Sequence, residues 1–261
     1  MCITMFRWTP EAVERLFLAL NRDEYFSRPS APINWTTASI LSGIDCVAGG
    51  TWFGVSRSGR VACVTNIRAP LLDTQVRLRS RGELTQQFLH GDERPGDYLQ
   101  RVAAQAGDFG GFNLLCGEIA GPNPSLWFLN ARELKPRALP AGDYVLSNAT
   151  LDTPWPKVEK LRSILPNAVS DRSNQTALGA MLDSERAHPT LLPNTGVPSD
   201  WEHALSAILI REAASRGYGT RSTTLLRASE SHAHVHEYTH TELKIAASAI
   251  QFEFPFSGHT L

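Results

Sequence analysis

Cys2 directly follows Met1, and a cysteine is small enough for an aminopeptidase to remove the methionine ahead of it. That removal leaves one residue carrying both a thiol and a free α-amine. An α-amine titrates near ~8, so much of it accepts a proton near neutral pH. A nucleophile activated by its own terminal amine is an established catalytic device. Asp23 ends the next apolar segment, where a paired strand would return it to the side of residue 2. A carboxylate there can hold the α-ammonium and orient the thiol. A cysteine here also serves as a small buried hydrophobe, so the case turns on what the rest of the chain places around it.

The elements that must position these groups follow from hydrophobic periodicity. Residues 2–8 alternate and predict a strand. Thr9-Pro10-Glu11 suits a helix start, with Thr at the N-cap and Pro at N1, or a turn into a strand over 13–21. Residues 27–37 are broken by prolines and predict an extended loop. Residues 52–56 and 60–66 predict two strands around a Gly59 turn. Ser80-Arg81-Gly82-Glu83 has the spacing of a capping box, ahead of a helix with Leu84, Phe88 and Leu89 on one face. A second helix from Pro95 aligns Leu99, Val102, Ala103 and Ala106.

Strands are expected next over 112–118, 126–130 and 144–148. Three helical stripes follow: Val158, Leu161, Ile164 and Leu165; then Leu178, Met181 and Leu182; then Trp201, Leu205, Ile208 and Leu209. Residues 186–198 are proline-rich and predict a loop. Strands return over 222–227, 234–238 and 249–254. Strands on both sides of a helical block make an α+β order. One domain over 1–261 fits, with two antiparallel sheets stacked between helical layers.

Composition narrows the partners. The chain has 261 residues, 42% apolar and 20% charged, with a formal net charge of −1. Such a balance gives no basic excess for nucleic acid, and no apolar run approaches a transmembrane segment. No signal-peptide pattern opens the chain. Cys2, Cys46, Cys63 and Cys116 form no C-x-x-C and no zinc spacing, so free thiols in a reducing, cytoplasmic setting are expected. Glu11 and Glu14 are unusual for a mitochondrial address, which stays open.

Asn21-Arg22-Asp23-Glu24-Tyr25, followed by Arg28-Pro29, resembles the signature of the NRDE family, also called the transport and Golgi organisation protein 2 family. Gly49-Gly50-Thr51-Trp52-Phe53-Gly54-Val55, Val64-Thr65-Asn66, Ser80-Arg81-Gly82 and Phe112-Asn113-Leu114-Leu115 match further family segments. So do Leu146-Ser147-Asn148-Ala149, Leu151-Asp152-Thr153-Pro154-Trp155-Pro156-Lys157 and Tyr218-Gly219-Thr220-Arg221-Ser222. They run in family order across nearly the whole chain. The family is in turn similar to the cysteine branch of the N-terminal-nucleophile (Ntn) hydrolases, which implies a four-layer αββα sandwich.

That resemblance implies a site. Cys2 matches the nucleophile and Asp23 the carboxylate that holds the amine. Asn66 resembles an oxyanion-hole asparagine, and Asn148 a second asparagine of the site. Asn21, Arg22, Gly50, Trp52 and Arg221 fall in the matching segments as candidate binding residues, Arg221 being the weakest match. An asparagine ending a strand also serves as a turn former, and Trp52 also suits the core. One departure stands out: the hydrolases carry an arginine where this chain has Leu20, so Arg22 or Arg221 must supply any guanidinium beside the thiol.

Two functions follow as expectations. The first is hydrolysis of a small amide or thioester acyl substrate. The second is non-catalytic binding and trafficking of haem, acyl-CoA or lipid, linked to secretion and Golgi organisation. No cofactor is required in either case, and haem enters only as a ligand. His232, His234, His236 and His240 fall at strand spacing, three on one face, where they can hold a metal or form a polar outer face. Haem ligation through Cys2 or His203 stays open as well.

Overall fold

Strand β1 (Cys2–Trp8) turns tightly into β2 (Glu14–Tyr25). Thr9-Pro10-Glu11 is the turn, not a helix start. The Ala12 N–H donates to Thr9 O at 2.9 Å, and the Thr9 hydroxyl donates to Glu14 O at 2.8 Å. The computed structural model describes residues 2–68, 79–211 and 217–257; Met1, on whose removal the N-terminal-nucleophile expectation depends, lies outside them.

The chain continues through β3 (Ser30–Trp35), β4 (Ile40–Asp45), β5 (Phe53–Ser56) and β6 (Arg60–Asn66) to the helices α1 (Gly82–His90) and α2 (Pro95–Ala104). Strands β7 (Phe112–Glu118), β8 (Ser125–Asn130), β9 (Arg137–Ala138) and β10 (Gly142–Leu146) follow. Then come α3 (Pro156–Ser170), α4 (Gln175–Met181) and α5 (Ser199–Ala204), and finally β11 (Tyr218–Ser229), β12 (His232–Thr239) and β13 (Ile250–Pro255).

One sheet has the order β10-β1-β2-β11-β12-β13 and the other β3-β4-β5-β6-β7-β8-β9. Helices α3 and α4 cover the first sheet, and α1 and α2 cover the second. The layers are therefore αββα. Alternation along β1 and β2 explains why the sheets stack this way. Phe6, Leu16, Leu18 and Leu20 face the second sheet, packing in one core with Phe53, Val55 and Leu114. Ile3, Met5, Phe17 and Ala19 face the other way, onto Val158, Leu161 and Leu165 of α3. Strand β2 is buried on both faces and so reads as an almost unbroken apolar run. Each such large side chain contributes about 1.5–3 kcal/mol by leaving water.

Several expectations are corrected. The 27–37 stretch is not a loop: it holds β3, an edge strand with a register shift between Ala31 and Asn34, where Pro32 costs no ladder bond. Strand β4 was not foreseen. Its Ser42-Gly43 centre lacks β-formers, and Gly43 is there because a Cβ would lie 2.4 Å from the Trp52 ring. No capping box forms, since the N-cap of α1 is Arg81 and Glu83 pairs instead with Arg79. The stripe from Trp201 to Leu209 is helical only through Ala204. Beyond it the backbone finds other partners: the Leu209 N–H donates to Asp183 O at 2.7 Å and the Ile210 N–H to Thr220 Oγ1 at 2.9 Å.

Two buried polar ties fix the first sheet to its helices. Arg227 on β11 donates to Ala168 O, Val169 O and Asp171 O at the end of α3, and to both carboxylate oxygens of Glu14. A guanidinium is well placed against the carbonyl end of a helix. His240 accepts the Ala246 N–H at Nδ1 (3.1 Å), so its own proton sits on Nε2, facing the Thr223 hydroxyl at 3.0 Å. Thr223 donates to Asn21 Oδ1 at 2.6 Å, and Asn21 Nδ2 donates to Met181 O and Ile208 O.

Replacing Arg227 with Met should cost about 3 kcal/mol, because Glu14 and the helix carbonyls lose their partner; urea unfolding measures it, and an unchanged midpoint would refute the tie. Burial pushes His240 down to about 4 from its ordinary 6.5. The unfolded chain therefore takes up the proton first, and this residue's share of stability is full above 6.5 and falls as pH drops toward 4. The stability gap between wild type and His240→Asn should accordingly narrow between pH 7 and pH 4.5. A gap constant with pH in paired denaturation curves would count against it.

Candidate functional site

The start of β1 and the end of β2 meet at the wall of a cavity of about 630 Å³ lined by Cys2, Arg22, Asp23, Trp52 and Asn66. Antiparallel pairing puts Cys2 directly opposite Arg22, so both side chains share a face. Cys2 is 6% exposed. Burial pushes its thiol up, the Asp23 carboxylate acts in the same direction, and the Arg22 cation and the Asp23 backbone N–H oppose them. The thiol is thus protonated at neutral pH, and attack on a carbonyl requires a base.

Arg22 sits 4.2 Å from the centroid of the Trp52 ring. Among the described residues its Nη1 donates to Ser30 Oγ at 3.4 Å and its Nη2 lies 4.0 Å from Asp45 Oδ2. It occupies the position two residues beyond Leu20 on the same strand face, so Arg22 supplies the guanidinium beside the thiol. Arg221 does not. It donates to the carbonyls of Tyr25, Phe26 and Arg28 and secures the turn after β2.

Asp23 is 1% exposed, and its Oδ1 accepts the Thr220 hydroxyl at 2.7 Å. Burial raises its pKa, and the cations Lys157 and Arg68 work against that rise. Asn66 ends β6 at the cavity wall. Asn148 is buried, and its Nδ2 donates to Asn66 O at 3.0 Å, so in this arrangement it positions Asn66. The loop that carries it is fixed from both sides, by the Thr65 hydroxyl on Ser147 O and by Asn113 Nδ2 on Ala149 O.

The structure separates the remaining candidates from the thiol. Asn21 points to the helical side of β2 and is used in the tie to Met181 and Ile208. Gly50 lies behind the rim: a Cβ there would meet Gly82 C at 2.5 Å, so its bareness lets the 46–51 turn touch the start of α1. On β12, His232, His234 and His236 share the outer face and His240 is committed to Thr223 and Ala246. Among the described residues no group of three His, Cys, Asp or Glu side chains converges as for a metal. No helix among them is long and apolar enough to cross a membrane.

Sequence reasoning did not pick out Lys157, Arg68 and Glu202, which cluster behind Asp23. A signal existed for one of them, since Lys157 is in helical phase with the buried Leu161 and Leu165.

Comparison with known proteins places the chain in a family. A family model described as Transport and Golgi organisation 2 matches residues 1–242. The human Transport and Golgi organization protein 2 homolog is 34% identical over 245 residues, covering 87% of this chain and 88% of its own. The Bos taurus homolog is 33% identical over 248 residues, with the same coverage. The solved structure of the Caenorhabditis elegans N-acylethanolamine-hydrolyzing acid amidase (NAAA) ortholog aligns at 11% identity and a TM-score of 0.41, over 86% of this chain and 92% of that one. With a family model spanning most of its length and a human relative one-third identical across nearly all of both chains, this chain belongs to the Transport and Golgi organisation 2 family.

Proposed function

We propose that this protein hydrolyses a small amide or thioester acyl substrate, with Cys2 as the nucleophile. The observation that carries this is the placement of Cys2, at the wall of a substrate-sized cavity, opposite Arg22 and beside Asp23. Loss of Met1 frees the Cys2 α-amine. The amine takes the thiol proton, and the sulfur attacks the acyl carbonyl. The oxyanion that forms is met by Asn66, held by Asn148. Collapse breaks the bond to the amine or thiol leaving group, which takes the proton from the α-ammonium. Water, deprotonated by the same amine, then attacks the thioester on Cys2 and releases the carboxylic acid.

A second reading is favoured by the cavity lining, which includes Arg22, Arg28, Arg79 and Arg81. Arg28 is paired with Asp45 and Arg79 with Glu83. Guanidinium groups bind phosphate well, so an acyl-CoA held without turnover fits the same space. Haem remains a third ligand for titration.

Intact mass should show Met1 absent from the active protein. Turnover of a fluorogenic acyl-amide or acyl-thioester should vanish in Cys2→Ala, and Asn66→Ala should lower kcat by about 10²–10³-fold. Activity with Met1 retained, or equal turnover in Cys2→Ala, would remove the hydrolase reading. Calorimetric acyl-CoA binding unchanged by Cys2→Ala, with no hydrolysis by wild type, would establish the carrier reading in its place.

A further inference from the structure

Arg22 carries a full positive charge into the cavity wall. It is 4% exposed and lines the same cavity as Cys2. A guanidinium has five N–H donors and no acceptor, and burying its charge is costly unless anions and acceptors surround it. Here they are few. Among the described residues its hydrogen bonding comes to one long contact, from Nη1 to Ser30 Oγ at 3.4 Å. The Trp52 ring, whose centroid is 4.2 Å from the guanidinium carbon, holds the cation by its π face and supplies no oxygen.

The acids near Arg22 are engaged elsewhere. Asp45 Oδ2 is 4.0 Å from Arg22 Nη2, beyond hydrogen-bond reach. That same oxygen accepts Arg28 Nε at 2.8 Å, and Oδ1 accepts the Val47 and Ala48 N–H groups at 3.0 and 3.2 Å. One carboxylate thus serves two guanidiniums, and Arg28 has the closer share. Glu24 is turned to its own backbone, where Oε1 accepts the Tyr25 N–H at 2.9 Å. Glu237 on β12 feels the Arg22 charge, but burial pushes its carboxyl up from the ordinary range. Its Oε1 accepts the Ile33 N–H at 2.8 Å and its Oε2 the Thr224 hydroxyl at 3.2 Å. The other arginines of the lining are better supplied: Arg28 has Asp45 at 2.8 Å and Arg79 has Glu83 at 2.9 Å.

The β1–β2 register sets what an anion on Arg22 would be next to. Cys2 is the residue directly opposite, and Cβ atoms so opposed on antiparallel strands stand about 4.5–5.5 Å apart. A guanidinium fork matches the two oxygens of a carboxylate. A carboxylate seated there lies only a few bonds from the carbonyl that the thiol attacks. Two kinds of amide have that spacing. One is an N-acyl amino acid, with the charge on the leaving amine. The other is the half-amide of a short dicarboxylic acid, with the charge on the acyl side.

We propose that Arg22 determines specificity by receiving a carboxylate of the substrate beside the scissile carbonyl, so that the substrate class is small amides that carry a carboxylate. This deepens the hydrolase reading and rests on it for turnover. The subsite itself is measurable by binding alone.

The test compares two matched pairs at neutral pH: N-butyrylglycine with N-butyrylglycinamide, and N-methylsuccinamic acid with N-methylsuccinamide. Release of the amine gives kcat/KM for each. Wild type should favour the charged member by about 10–100-fold, and the pair that shows it tells which side of the amide bears the carboxylate. Arg22→Met should bring that ratio close to one, and Arg22→Lys should keep part of it. Any effect of Arg22 on the thiol cancels in the ratio, because the same sulfur attacks both members. Ratios near one for both pairs in wild type, or an unchanged ratio in folded Arg22→Met, would overturn the proposal. Calorimetry on Cys2→Ala decides where Arg22→Met does not fold or nothing is turned over. There the charged member of a pair should bind about 10–100-fold more tightly; equal binding, or none by any of the four, overturns the subsite. Charge-selective binding by Cys2→Ala, with no hydrolysis by wild type, would remove the hydrolase reading and leave the Arg22 subsite standing.

Discussion

The register of β1 against β2 is the constraint on which the site depends. Cys2 opposite Arg22 is one rung of a ladder that continues through Ile3 opposite Asn21 to Trp8 opposite Leu16. Both strands are buried on both faces, so the ladder cannot slip by one residue without turning every side chain over. A slip would bring Ile3 and Met5 toward the second sheet and Phe6 and Trp8 toward the helices. The apolar residues thus lock in place the polar pair at the strand end. The thiol and its guanidinium neighbour are positioned by residues up to six places away along the same strand.

The same alternation divides charge between two compartments. Even-numbered positions at the end of the pair, Cys2 and Arg22, face the second sheet and the cavity. Odd-numbered positions on β2, Asn21 and Asp23, turn toward α4, Thr220 and the buried Lys157. Asp23 is one residue from Arg22 and lines the cavity only at the strand's end. Its carboxylate therefore belongs to a dry, helix-covered cluster, and its backbone N–H belongs to the thiol. Residue 2 lies at the strand end where the two compartments come closest.

Much of this was legible in the sequence, for a physical reason. Strands buried on both faces leave long apolar runs, so β1, β2, β6 and β7 stand out, and helices with one apolar stripe, such as α2 and α3, stand out as well. What escaped were elements held by something other than their own pattern. Strand β4 depends on Gly43 making room for Trp52, and β3 depends on its position at an edge that tolerates Pro32. The segment after Ala204 keeps helical spacing, yet its backbone bonds go to Asp183, Thr220 and the Asn21 side chain. Local periodicity carries no record of such distant partners.

The candidate site divides along the same line. Cys2, Arg22, Asp23 and Asn66 were recognisable by motif and line one cavity, because each lies at or near the end of a strand whose register is fixed by apolar neighbours. Asn21 sits in the same four-residue signature and turns away, since strand alternation puts adjacent residues on opposite faces. Asn148 arrives at the site only through the 147–149 loop, whose position depends on Thr65 and Asn113 across the sheet boundary. The Lys157 cluster shows the limit most clearly. A lysine in phase with Leu161 and Leu165 can be seen to be buried, but its meaning comes from Asp23, Arg68 and Glu202, which lie 134, 89 and 45 positions away in the sequence. A buried charge acquires its role from the charges that the fold sets around it, and those are settled only when the strands and helices have closed.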